Sequence, residues 1–326
     1  MAPAKTDAAA AKPAAVAQQM RFLTTNASSS IYGYAIAMAK VMNAKVPEVN
    51  VTVVESGSSI ENQNRIARGE AELIISTVDA VYRGYHGIEP WKDKPIKDIR
   101  WLWTHSSLPA VFLVREDSGV KKLEDLNGKD FNPGMRGSAT ENQGRQILEA
   151  NDVKAKYYVG GTEDAVAAIK DKRIAGFIKS SAGPRGADAA ILDLMTSAPM
   201  LGLRLTEDQM KKAETKYPWL SRGKVEAGVY KADWNKDAYE TFTLLAGIAS
   251  TTKLSNDLAY KLVKSIVEDN KPGGEGVQVA AFPSIKGFDL AEQTLDGLNA
   301  FLHAGAEKYY RELGLKIPEA AKSPES

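Results

Sequence analysis

The chain has 326 residues, with 42 basic against 41 acidic side chains, a net charge of +1 and no cysteine. The even charge lacks the basic excess that a nucleic-acid protein needs on some face, and no apolar run reaches the length that spans a bilayer. Without cysteine there is no thiol or disulfide chemistry, and with His86, His105 and His303 far apart in the chain a structural zinc site is not expected.

A hydrophobic content of 44% supports a sizeable core, and the length predicts about two domains. Residues 1–19 are Ala- and Pro-rich and read as a flexible lead-in, the mature end of an exported chain whose signal peptide has been removed. Arg21 to Thr25 is β-prone. The polar run Asn26 to Ser30 follows, and from Ile31 the apolar residues recur at helical spacing through Met42. Val49 to Glu55 alternates as a strand and runs through Ser56-Gly57-Ser58 into a helix from Ile60 to Ile66. Ala71 to Ser76 reads as a buried strand, and Thr77 and Asp79 open a helix from Val78 to Tyr85.

Residues 86–100 read as a loop, Trp101 to Thr104 as a short aromatic piece and Val111 to Arg115 as a strand. Asp130 to Asn132 is a strand, and the turn Pro133 to Ser138 feeds a helix that ends near Ala150. Lys156 to Val159 is a strand, followed by a helix from Thr162 to Lys172 with Thr162 as its cap. Ala175 to Lys179 is a strand, and Ser180 to Pro184 turns into a helix from Arg185 to Met195. Beyond Met200 to Leu205, Thr206 caps another helix and Val225 to Tyr230 reads as a strand. Tyr239 to Ser250 is an apolar strand returning to the first domain. A helix spans Asn256 to Glu268, and Leu290 to Leu313 reads as one amphipathic helix stopped by Gly314. The end, 318–326, reads as a loose tail.

Strands alternating with helices predict mostly parallel sheets flanked by helices. In such sheets ligands sit beyond the carboxyl ends of the strands, where polar turns feed helix starts. Unpaired N–H groups and the helix dipole favour an anion there, although Ser and Asn also belong at helix starts simply as caps. The dinucleotide pattern GxGxxG, the phosphate-loop pattern GxxxxGK[ST] and the hydrolase elbow GxSxG are all absent. Asp233 to Asp237 begins like a calcium loop but lacks the glycine and the twelfth-position carboxylate. The loops offer neutral donors and a few charges, a chemistry of binding and not of catalysis.

Glu55-Ser56-Gly57-Ser58-Ser59-Ile60-Glu61-Asn62 resembles the E-S-G-G-S-V-E-N stretch of the TAXI family, the solute-binding proteins of a class of TRAP transporters. Tyr32, Gly69 to Leu73, Leu113 to Arg115 with Asp117 to Gly119, Leu123 to Gly128, Gly137 to Glu141 and Ala182 to Pro184 support it in order. The first loop departs from the family's glycine-rich form, Gly33 stands where many members carry a second aromatic, and Met135-Arg136 replaces small residues.

The resemblance implies an α/β, two-lobed periplasmic-binding-protein fold with a ligand cleft between lobes. Lobe I would be 20–112 and 244–317, and lobe II 113–243. It implies a monomer without cofactor or metal that captures a small organic acid in the periplasm, closes about a hinge and delivers the acid to TRAP permease subunits. A sensory module for a membrane receptor and an enzyme on the same fold are the alternatives. Asn26, Ser29 and Ser30 would donate at the first helix start, with Tyr32 on the ligand or in the core. Ser56 and Ser58 would bind through hydroxyl or backbone, and Glu55 would accept from a ligand amine or from backbone. Asn62 would orient that loop, and Thr77 and Asp79 would close the third side. From lobe II, Ser138, Ala139 and Thr140 would form a helix-start anion site, and Ser180, Ser181 and Pro184 would line the opposite wall. Arg136 would clamp a carboxylate or lie solvated on the surface.

Overall fold

The structure, a computed structural model, describes residues 17–25, 27, 30–56, 59–136 and 138–326. Three strand–helix units open the chain. They are β1 (Gln18–Leu23) with α1 (Ser30–Lys45), β2 (Val49–Val54) with α2 (Ser59–Ala67), and β3 (Leu73–Thr77) with α3 (Val78–His86). β1 pairs in parallel with both β2 and β3. Their carboxyl ends therefore lie along one edge, where the three helices begin.

The long strand β4 (Ile99–Arg115) leaves this body and enters a second one. There follow β5 (Asp130–Phe131), α4 (Ala139–Ala150), β6 (Lys156–Tyr157), α5 (Thr162–Lys170), β7 (Gly176–Ser180) and α6 (Ala189–Ser197). β8 (Met200–Leu203), α7 (Glu207–Lys216) and β9 (Ser221–Val225) complete it. The chain then returns through β10 (Tyr239–Thr251) to α8 (Asn256–Asn270), α9 (Val277–Ala281), α10 (Leu290–Leu295) and α11 (Ala304–Glu312).

β10 lies antiparallel to β3 and β4 in the first body and to β9 in the second. β4 carries β7 and β8 in the second body, both antiparallel. β5 pairs in parallel with β6 and, through a bridge from Asn132 to Phe177, follows β7. Each body thus places parallel strands beside an antiparallel strand shared with the other body.

The apolar core divides with the bodies. Phe22, Tyr34, Leu73, Trp101, Trp103, Ile248 and Tyr310 belong to one cluster. Phe112, Phe131, Ile147 and Phe242 belong to a second, and Leu113, Phe177, Ile191 and Trp234 to a third. Ala110, Val111 and Phe112 all pack in the second body. The division in β4 therefore falls before Ala110 and not after Phe112 as the sequence suggested. Thr241 and Thr243 are buried beside it, and the Thr241 hydroxyl donates to the Ala110 carbonyl at 2.9 Å.

Local differences from expectation have physical causes. The loop, aromatic piece and strand expected over 86–115 contain one continuous strand, because β10 supplies partners from Ile99 to Pro109 and β7 and β8 supply them from Ala110 to Arg115. α5 begins at Thr162 behind Gly161, so Thr162 is inside the helix. α6 starts at Ala189, capped by the Asp188 carboxylate on the Ala190 and Ile191 N–H groups. The last strand of the second body is Ser221–Val225 and not Val225 to Tyr230. The helix expected over 290–313 is two helices, with Gly297 at φ +69° between them. There the Trp101 N–H donates to the Phe301 carbonyl and the His303 N–H to the Trp101 carbonyl, so the sheet draws this stretch out of the helix.

The carboxyl tail is docked, not loose. Ala321 is buried, the Leu302 N–H donates to its carbonyl, and Glu325 pairs with the buried Arg100. Likewise Gln18 and Gln19 belong to β1, so the lead-in ends before residue 18.

Candidate functional site

Thr77, the last residue of β3, pairs with Ala246 of β10, which pairs with Ser106 of β4. Ser180, the last residue of β7, pairs with Ala110 of β4. The carboxyl edges of the two bodies thus face each other along β4. Ser106 and Ala110 are four residues apart, about 13 Å of extended chain. That spacing suits a small molecule.

On the first body's edge, Asn26, Ser29 and Ser58 lie outside the described residues, and Ser30 opens α1. Tyr32 is half-buried on the first turn of α1. The loops after β1 and β2 are bound to each other. The Ala27 N–H donates to the Glu55 carboxylate at 2.8 Å, and the Ser56 hydroxyl donates to the Thr24 carbonyl at 2.8 Å. Glu55 therefore serves the backbone. Asn62 is fully buried, and its amide donates to the carbonyls of Thr24 and Ile75, joining the ends of β1 and β3. Thr77 is extended ahead of α3, with its hydroxyl beside the Asp79 carboxylate. Burial pushes the Asp79 pKa up, opposed by that hydroxyl and by Arg83.

On the second body's edge, the turn before α4 depends on Gly134. Its φ is +138°, and a Cβ there would stand 2.5 Å from the Glu141 nitrogen. Ser138 caps α4 by accepting from the Glu141 N–H at 3.1 Å. Ala139 is the exposed first residue of α4, and the Thr140 hydroxyl lies 2.9 Å from that of Ser180. The two hydroxyls couple the start of α4 to the end of β7. The Arg136 side chain is exposed and donates to the Val159 carbonyl at 3.0 Å. Its backbone N–H donates to the Gly160 carbonyl, so both bonds tie the turn to the end of β6. Ser181 is turned inward: its hydroxyl meets Tyr230 at 2.8 Å and donates to the Gly186 carbonyl. Pro184 lines a groove of about 410 Å³ between the bodies, with Ser107, Arg185 and Phe288.

Three residues at this junction went unnoticed in the sequence. The Ser107 and Thr243 hydroxyls meet at 2.9 Å across the two connecting strands. Gln143 of α4 is buried, and its amide donates to the Thr243 carbonyl at 3.1 Å. The available signal was a polar residue on the helix face that also carries Ile147. His105 lies beside them, at a bulge where Ala246 pairs with Ser106 but Gly247 with Thr104. Bulges re-aim side chains. The His105 ring is buried edge-on to Tyr34, and burial lowers its pKa to about 4.

A family model described as the NMT1-like family matches residues 22–314. The chain belongs to the NMT1-like family. This member is similar in fold to a Methylobacillus flagellatus structure titled as a putative sulfonate ABC transporter periplasmic sulfonate-binding protein, SsuA. The TM-score is 0.51 at 11% identity, over 92% of this chain and 86% of that one. It is also similar to XAC2383 from Xanthomonas citri, solved bound to ATP, with a TM-score of 0.51 at 13% identity, over 91% of this chain and 99% of that one. The fold of this NMT1-like chain is the α/β periplasmic-binding-protein fold. Among its described residues no helix is long and apolar enough to cross a membrane.

Proposed function

We propose that this chain is the periplasmic solute-binding component of a TRAP-type transporter and captures a small organic acid between its two bodies. One observation carries the reading: the carboxyl edges of both bodies, each with helix starts and hydroxyls, face one another across a few residues of a shared strand. Helix starts favour anions, and neither edge encloses a ligand alone. A bound acid touching both would favour the closed arrangement. The ordered motifs shared with the TAXI family support the transporter class. A sulfonate, named for one structural neighbour, is likewise an organic anion.

In this reading Thr140 and Ser180 meet the acid from the second body, and Ser30, Ser56 and Thr77 approach it from the first. Arg136 leaves the Val159 carbonyl to take a carboxylate on closure. Titration calorimetry and thermal-shift measurements with dicarboxylates, keto acids, amino acids and sulfonates test this. A saturable rise in melting temperature with one acid class is expected, since a ligand of the folded state must raise it. Response to neutral solutes alone would overturn the organic-acid assignment.

A further inference from the structure

Asp79 of α3 and Gln143 of α4 come from opposite bodies and line the same small cavity, closed by Thr243, Leu245 and Trp219. Its volume of about 10 Å³ gives room for one water-sized group. Both side chains line it, and among the described residues the buried Asp79 Oδ1 and Gln143 Oε1 have no hydrogen-bond partner. The Gln143 amide cannot be reversed to cure this. Its Nε2 already donates to the Thr243 carbonyl, and a flip would set oxygen against oxygen. Gln143 is only 3% exposed, so solvent does not reach it freely.

Buried acceptors left without donors are costly and need an explanation. While the Asp79 carboxyl is ionised, two acceptors from opposite bodies cannot satisfy each other, whereas one small donor that reaches both satisfies them. We propose that Asp79 and Gln143 form a specificity-determining acceptor pair that receives an N–H or O–H donor of the bound solute. The preferred acids then carry a hydroxyl or amine beside the carboxylate, and keto or unsubstituted acids are disfavoured. The proposal rests on the organic-acid reading above. It adds a reason for the bodies to close, because the donor is held from both sides.

The test uses two series of acids alike except at the second carbon. One is glutamate, 2-hydroxyglutarate, 2-oxoglutarate and glutarate; the other is aspartate, malate, oxaloacetate and succinate. Calorimetric affinities of the full chain are compared with those of Asp79→Asn and Gln143→Leu, each first checked for a cooperative melt. Donor-bearing acids should bind at least about tenfold tighter than their donor-free partners, the scale of one buried hydrogen bond to a charged group. The amine and hydroxyl members show which donor is used. Asp79→Asn brings its own N–H into the cavity and should reduce that ratio towards one. Equal affinity within a series, or a preference that survives both substitutions, overturns the pair while leaving the organic-acid reading standing. Failure of every acid to bind overturns both.

Discussion

The Arg136 guanidinium donates to the Val159 carbonyl at 3.0 Å, so the one arginine in the turn before α4 is engaged with its own body. An exposed bond of this kind stabilises little. Arg136→Ala should therefore change stability by less than about 1 kcal/mol. If the side chain swings to a carboxylate on closure, the same substitution lowers acid affinity at least about tenfold, the scale of a charge-assisted pair. Calorimetry beside a denaturant melt separates the two effects. Unchanged affinity would remove Arg136 from the site.

Asn62 holds the ends of β1 and β3 at 2.8 and 2.9 Å through a single buried amide. Asn62→Ala leaves the carbonyls of Thr24 and Ile75 without that donor, and should cost about 2–4 kcal/mol. Asn62→Asp should be worse, because a carboxylate would face two carbonyls. Denaturant melts measure both. A loss below about 1 kcal/mol would mean that water replaces the amide.

His105 makes folding sensitive to mild acid. Its pKa is lowered to about 4 in the folded chain by burial, so between the ordinary histidine value and about 4 the unfolded chain takes up a proton that the folded one refuses. Stability is then present above that window and lost as pH falls through it. The expected loss is about 2 kcal/mol between pH 7 and pH 5. Burial lowers the pKa of His86 and His303 as well, which adds to the same sign. In His105→Gln the loss over this range should be smaller, and an unchanged slope would assign it to the other two.

Glu325 pairs with Arg100, whose guanidinium also donates to the Lys97 and Ile99 carbonyls. Ser323 lies beside it, its N–H donating to the Glu307 carboxylate at 2.5 Å. Removing residues 319–326 strips Arg100 of its carboxylate and uncovers the Leu302 N–H. The expected cost is about 2–4 kcal/mol, read as a lower melting temperature. A truncated chain that melts like the full one would show that the tail contributes nothing.

Much of the fold was legible because it is local. The first three strand–helix units, the Thr206 cap and the returning strand β10 all announce themselves through periodicity and capping chemistry. The site was legible in part. Thr140 and Ser180 were singled out separately, but their 2.9 Å contact joins residues 40 apart in the chain. Ser181 looks the same as Ser180 in sequence. Alternation along the strand end turns it inward to Tyr230 instead.

The sequence by itself determined the opening strand–helix units and the polar turns between them, because spacing and caps act over a few residues. Only the tertiary structure decided which polar atoms are already used and which are left over. Glu55 was claimed by the Ala27 N–H and Ser138 by its own helix, while Asp79 and Gln143 were left facing one cavity from two bodies. The satisfaction of a buried polar group depends on what the fold brings beside it, and for Gln143 that neighbour is Thr243, 100 residues away.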